Sequence, residues 1–291
     1  MNKELKIVLL SPYLPSIDTT ACARIIYDYI LLLHQRGHSI YLFSFCSEDD
    51  RQRIGRIKSY CAQLHLEYLK DYLRYPHNSV PFRQKIRLLC SNFDIDILQC
   101  EKAYMCKYIP RGIKIVSVLT EHEVLSDTFW QRAKLENNLM SKVVLFVRKT
   151  KKNIEEKNWY RRFDKVIVFS EHDKDTIHNL YSIDHIEVIP LGIHFQNYPL
   201  RTVKEKSYDL IFVGNFSHFP NVDAVLYFYK KIFPLIKNKL SAASVMLAGA
   251  DPPDRIKKLS ELDKNITVTG YVKDISEVYC RARVFIAPIR Y

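Results

Sequence analysis

No stretch of this 291-residue chain approaches the roughly 20 consecutive apolar residues that a bilayer-crossing helix needs, so no transmembrane segment is expected. The opening run, Met1 to Leu10, is too short for a secretion signal and is closed by Ser11-Pro12, which points to a cytoplasmic protein. Glycine is scarce, with seven in all and none between Pro12 and Thr20. Cysteine is present, but Cys-x-x-Cys spacing is not. Cys22, Cys46, Cys61, Cys90, Cys100, Cys106 and Cys280 are scattered and odd in number, which reads as free, mostly buried thiols and argues against a metal site. Zinc-finger spacing, an RNA-recognition signature and a helix-turn-helix are all missing, so nucleic acid is not an expected partner. Internal repeats and low-complexity tracts are missing too.

What is present is the composition of a folded protein, 47% apolar and 26% charged, long enough for two α/β domains. The net charge of +12 favours a polyanionic partner such as an anionic membrane face or a phosphate-bearing ligand. The charge is concentrated between Arg132 and Lys165, where eleven basic residues meet four acidic ones. There Leu135, Leu139, Val143, Phe146 and Val147 recur at helical spacing among Lys142, Arg148, Lys149, Lys151 and Lys152. A basic amphipathic helix of this kind either docks on anionic lipid, giving peripheral contact with the inner face of the membrane, or packs its apolar stripe on its own domain.

The hydrophobic pattern is one of alternating strands and helices. Lys6 to Leu10 is a continuous apolar run, the mark of a parallel strand buried on both faces. Ala21 to Gln35 carries a helical stripe stopped at Arg36-Gly37, and His38 to Phe45 reads as the next strand, completing a βαβ unit. Further strands are predicted at 65–69, 95–99, 114–119, 165–169 and 186–189, with a helix capped by Ser170. Residues 191–208 suit a linker, which divides the chain into domains at 1–190 and 209–291. The second domain reads as a strand from Asp209, a helix from about Asn221 to Asn238, and a strand from Ser244 to Ala248. After these come a helix begun by Asp251-Pro252, a strand at Ile266–Thr269, a capping box at Asp274 and Glu277, and a strand from Arg283 to Ala287.

Ligands of open parallel sheets bind beyond the carboxyl ends of the strands. Four loops meet that rule: 11–18, 120–123, 214–221, and the one beginning at Pro288. Gly214 suits a close approach of backbone to a diphosphate at the start of the following helix. On facing domains the first two loops would lie opposite the last two across a cleft.

The order of these pieces resembles glycosyltransferase family 4, retaining enzymes with two facing Rossmann-like domains in the GT-B architecture. The resemblance runs over essentially the whole chain. It is carried by Leu32 to Ile40 with its Gly37-His38 step, Val166 to Glu171, Ile186 to Ile193, Phe212-Val213-Gly214, Thr269 to Asp274, and Val284 to Pro288. It implies an α/β fold of two such domains and a nucleotide sugar as substrate, with no separate cofactor and no metal demanded. By the same resemblance His122 is the catalytic-site histidine beside the transferred sugar, unless it merely ends a strand. The loop of Gly214, Asn215, Ser217 and Asn221 takes the donor phosphates. Asn215 and Asn221 stand where the family often has arginine and lysine, so Arg290 is a candidate substitute cation or an idle terminal residue. Asp18 and Thr19 either line the first loop's edge or belong to an ordinary connection.

The family's glycine-containing loop and glutamate pair would follow Tyr291, so the donor domain is expected to be incomplete and C-terminally truncated. Two main readings stay open. One is retaining transfer of a hexose from a nucleotide sugar to a glycan or lipid-linked acceptor, as in polysaccharide or lipopolysaccharide biosynthesis. The other is a catalytically inactive remnant or accessory acceptor-binding protein. A nucleotide-dependent epimerase of the same architecture is a third.

Overall fold

In the computed structural model, which describes residues 3–69, 78–192 and 206–290, the apolar runs of the first half form a seven-stranded sheet. Its strands are β1 (Lys6–Ser11), β2 (Ser39–Cys46), β3 (Gln63–Tyr68), β4 (Ile97–Glu101), β5 (Val116–Thr120), β6 (Lys165–Val168) and β7 (Ile186–Val188). They lie in the order β3-β2-β1-β4-β5-β6-β7, and each neighbouring pair is parallel. Parallel pairing demands crossovers. The helices supplying them are α1 (Ala21–Gln35), α2 (Arg51–Lys58), α3 (Val80–Asn92), α4 (Leu125–Leu135), α5 (Leu139–Tyr160) and α6 (Glu171–Tyr181).

Alternation along β1 feeds two cores. Val8 and Leu10 pack with Phe43, Phe45 and Phe82 on one face, while Ile7 and Leu9 pack with Ile26, Ile30, Ile40 and Leu42 on the other. That is why β1 is apolar without a break from Ile7 to Leu10, and each of these side chains contributes about 1.5–3 kcal/mol by leaving water. Helix α1 begins where Thr20 Oγ1 accepts the Ala23 N–H at 3.2 Å and ends before Gly37, whose φ of +80° suits a helix-terminating glycine. Strand order reverses between β1 and β4, so the crevice of this sheet lies at their carboxyl ends.

The chain divides into two compact units, residues 1–192 and 193–291. The second contains β8 (Tyr208–Val213), β9 (Val245–Ala248), β10 (Ile266–Gly270) and β11 (Ala282–Phe285) in the parallel order β10-β9-β8-β11. Its helices are α7 (Phe219–Tyr227), α8 (Phe233–Lys237), α9 (Asp254–Leu262) and α10 (Ile275–Cys280). Here the order reverses between β8 and β11. Of the expected linker, residues 193–205 lie outside the described residues, and Tyr208 already opens β8.

Two expectations need correction, and one open choice is narrowed. The single helix expected over 221–238 is instead α7, a π-helical turn at Phe228–Ile232, and α8, because Pro234 has no N–H to continue the ladder. Asp251 does not cap a helix: its φ is +54°, and α9 starts at Asp254, after Pro253 has held the backbone extended. The apolar stripe on α5 does not pack inward as a set. Leu139, Val143, Phe146 and Val147 are exposed, and the helix buries Leu145, Glu156 and Tyr160.

Candidate active site

The carboxyl end of β4 carries Gln99 and Glu101, two polar residues that are buried. Glu101 is in register with Thr120 at the end of β5, and the chain then turns through Glu121 and His122. Buried polar groups need partners, and here they satisfy one another. His122 Nε2 lies 2.8 Å from Glu101 Oε2, and Gln99 Nε2 donates to Glu101 Oε1 at 2.8 Å and to Thr120 Oγ1 at 2.9 Å. The Tyr29 hydroxyl of α1 donates to Gln99 Oε1 at 2.8 Å. Glu121 accepts the Ala103 N–H, the His122 N–H and, at 3.4 Å, the Tyr160 hydroxyl. The side chains of His122 and Glu101 are each 2% exposed. His122 Nδ1 is buried without a hydrogen-bond partner.

Two further groups face this ring. Cys22, in the first turn of α1, brings its thiol against His122. Lys102 follows β4 with a φ of +75°, which strains a non-glycine residue, and its charge acts on both Cys22 and Glu121. Burial alone would strip the proton from His122, but contact with Cys22 and Glu101 outweighs it and raises the imidazole to about 9. Burial likewise opposes a Cys22 thiolate, yet His122 and the Lys102 charge bring the thiol down to about 7. Burial pushes Glu121 up to about 7, against the pull of Lys102. His122 is therefore an imidazolium near neutral pH, with Nε2–H committed to Glu101 and Nδ1–H left to donate.

The first-loop residues lie elsewhere on this edge. Asp18 accepts the Ser16 hydroxyl and faces Arg53 at 3.5 Å, in a pocket lined also by Tyr27, Gln52 and Arg56. Thr19 is exposed, and its neighbour Thr20 caps α1.

In the second unit, Gly214, Asn215, Ser217 and Asn221 share the loop from β8 into α7. Asn215 Oδ1 accepts the Ser217 N–H and hydroxyl at 2.9 and 2.7 Å, and Asn221 Nδ2 donates to the Asn215 carbonyl at 2.7 Å. A Cβ on Gly214 would stand 2.8 Å from Asn221 Cγ, so any other residue here would push the Asn221 side chain aside. A Cβ on Gly249, after β9, would stand 1.8 Å from the Gly214 carbonyl oxygen. Helix α7 starts without a side-chain cap and without an acidic residue in its first turn, which leaves its positive end uncompensated. Arg290 forms a two-pronged ion pair with Asp223 of α7, at 2.8 and 2.5 Å, and lies over the Tyr227 ring.

A family model described as Glycosyltransferase Family 4 matches residues 22–197, more than half of the chain. The chain belongs to glycosyltransferase family 4. A second model, glycosyl transferases group 1, matches residues 207–291, so both units of this glycosyltransferase are accounted for. Among curated proteins none matches it in sequence. Its fold is that of solved GT-B structures. TarM aligns with a TM-score of 0.63 at 9% identity, over 97% of this chain and 80% of TarM. An α-glucosyltransferase in complex with UDP and a DNA 13-mer aligns at 0.53 and 12% identity, over 97% of this chain and 72% of that one. A UDP-GlcNAc 2-epimerase from Neisseria meningitidis aligns at 0.50 and 12% identity, over 97% and 77%. Identities this low speak for the fold alone, and the presence of an epimerase among these structures shows that one fold serves more than one chemistry.

Gln99, Glu101, Lys102 and Cys22 are the residues around His122 that sequence reasoning passed over. Two signals pointed to them: a glutamine and a glutamate alternating inside a buried strand, and a cysteine two residues after a helix cap.

Proposed function

We propose that this family member transfers a hexose, with retention, from a nucleotide sugar to a glycan or lipid-linked acceptor. The observation that carries this reading is the buried His122–Glu101 pair at the edge where the first sheet reverses its strand order. Glu101 holds the ring and keeps it protonated, so the unpartnered Nδ1–H is the donor for a sugar hydroxyl. In the second unit, the uncompensated start of α7 supplies the amides for the diphosphate, a role that needs no metal. Asn215 and Asn221 shape that loop through their mutual hydrogen bond, and Arg290 acts through its pair with Asp223. The acceptor class is drawn from α5. Leu139, Met140, Val143 and Val147 are exposed beside Lys142, Arg148 and Lys151, a surface suited to anionic lipid bearing a lipid-linked acceptor.

The test is a thermal-shift titration with UDP-, GDP- and ADP-sugars, paired with an assay for nucleotide release. A saturable rise in melting temperature with one sugar nucleotide, larger than with its nucleoside, together with release of that nucleotide, supports transfer and identifies the donor. A cooperative melt that none of them moves would overturn it in favour of an accessory acceptor-binding protein.

A further inference from the structure

The His122–Glu101 pair joins two different strands, since Glu101 ends β4 and His122 follows β5. Its 2.8 Å separation depends on how firmly the segments leaving those strands are tied together. Backbone ties them where the Lys102 N–H donates to the Thr120 carbonyl at 2.9 Å. Past the strand ends the tie is a side chain. The Glu121 carboxylate accepts the Ala103 N–H on Oε2 and the His122 N–H on Oε1, each at 3.1 Å. Ala103 lies two residues beyond Glu101, so one carboxylate spans from the Glu101 segment to the His122 backbone. Glu121 is 6% exposed, and its own N–H is anchored on the Ile167 carbonyl of β6 at 2.9 Å. The far end of the loop is held in a similar way. Glu156 of α5 accepts the Tyr181 hydroxyl at 2.7 Å, and that hydroxyl accepts the Ser126 hydroxyl at 2.7 Å. The Ser126 N–H lies 3.3 Å from Glu156 Oε2. Tyr160, one turn further along α5, donates to Glu121 Oε2 at 3.4 Å. An apolar clip would hold this loop without the desolvation that a buried carboxylate brings. What the carboxylates add is direction, because each bond fixes a particular backbone N–H.

We propose that Glu121 is a positioning residue of the transfer site, supported by Tyr160 and Glu156 of α5. It sets the distance and angle between the Glu101 carboxylate and the His122 ring, and so the direction in which Nδ1–H is presented. Its effect on turnover rests on the transfer reading, whereas its hold on the two backbones does not. Glu121 acts through the His122 backbone on one side and through Ala103 on the other. The Ala103 N–H, the His122 N–H and the Tyr160 hydroxyl all converge on its two oxygens, an arrangement that needs an acceptor at both. Glutamine has the same shape but a single acceptor oxygen. In Glu121→Gln the amide nitrogen would face a backbone N–H, so one of the two ties must break. Tyr160→Phe removes the longest of the three bonds and keeps the ring in the core shared with Phe43, Phe82 and Tyr181.

The experiment compares the unmutated chain, Glu121→Gln and Tyr160→Phe by amide hydrogen exchange resolved residue by residue, and by steady-state kinetics with the nucleotide sugar that the unmutated chain turns over. In the unmutated chain the Ala103 and His122 amides should exchange roughly tenfold or more slower than the amide of exposed Thr19, after correction for intrinsic rates. Glu121→Gln should speed at least one of the two by roughly tenfold and leave Val8 and Leu9 in the sheet unchanged. It should also lower kcat by roughly 10- to 100-fold with the donor KM within about twofold, because a misdirected Nδ1–H weakens the transition state more than donor binding. Tyr160→Phe should move the same quantities in the same direction by less. A residue that only supports the fold would speed exchange throughout the sheet, or lower the yield of folded chain without changing kcat of the folded fraction, and either result overturns the proposal. So would Ala103 and His122 amides that already exchange as fast as Thr19 in the unmutated chain, a measurement that needs no variant to fold. If the unmutated chain turns over no nucleotide sugar, the transfer reading falls, and the exchange pattern still decides whether Glu121 holds the pair.

Discussion

At the scale of single residues, the Cys22–His122 pair has a consequence for stability that needs no substrate. Between about 7 and about 9 the folded protein holds a thiolate and an imidazolium, whereas the unfolded chain, with ordinary values of 9.0 and 6.5, holds a thiol and a neutral ring. Folding in that window moves one proton from sulfur to nitrogen and takes none from solvent, so the pair gives stability no pH slope. In Cys22→Ala only the imidazole titrates, held between burial, which lowers it, and Glu101, which raises it, so folding exchanges a proton with solvent wherever its folded value departs from 6.5. Denaturant titrations of both proteins across this window should show the difference between them changing by up to about 1.4 kcal/mol per pH unit. Parallel curves would mean that the two groups do not share a proton. The two glycines of the second unit make a similar contrast. Gly249→Ala drives a Cβ into the Gly214 backbone and should cost about 3 kcal/mol. Gly214→Ala meets a side chain instead, and should cost about 1 kcal/mol by breaking the Asn221 bond to Asn215. Adding Asn221→Ala should recover part of that loss. Equal costs for the two glycine variants in urea unfolding would refute this division. His122 was legible in the sequence only through family resemblance. Glu101 was not, because a carboxylate that ends a buried strand looks like a strand terminator until its partner is seen across the sheet.

At the scale of elements, the parallel strands were legible because a strand covered on both faces must be apolar at nearly every position, as Ile7 to Leu10 are. Caps were legible for the same local reason: Ser170 and Asp274 accept the N–H groups that their side chains are suited to satisfy. The helix over 221–238 was misread because its apolar period survives through Pro234, while its hydrogen-bond ladder does not. For helix α5 the sequence left two readings open. Periodicity shows that an apolar stripe exists but not what covers it. With Leu139 at 74% exposed and Val147 at 61%, that stripe is free to meet lipid. Leu139→Glu combined with Val147→Glu should abolish sedimentation with phosphatidylglycerol vesicles. Because both positions are exposed, stability should stay within about 0.5 kcal/mol. Undiminished sedimentation would remove α5 from the membrane reading, and a large loss of stability would show that these side chains pack against the protein.

At the scale of the whole molecule, each unit encloses its own pair of cores on the two faces of its own sheet, one pair built on β1 and the other on β8 and β9. Cooperativity follows the core, so each unit is expected to unfold with its own midpoint. The two tryptophans, Trp130 and Trp159, both belong to residues 1–192, so indole fluorescence reports the first unit while far-ultraviolet circular dichroism reports both. The fluorescence and dichroism curves should therefore fail to coincide in a urea titration. Gly249→Ala supplies the sharper test, because its clash lies wholly within the second unit. It should move part of the dichroism transition to lower urea and leave the fluorescence midpoint where it was. If the fluorescence midpoint moves with it, the two units unfold as one, and a donor bound to the second sheet would then stabilise the His122 site in the first by mass action alone. If it does not, the ligand-induced rise in melting temperature must be sought in the dichroism signal, where the second unit is visible.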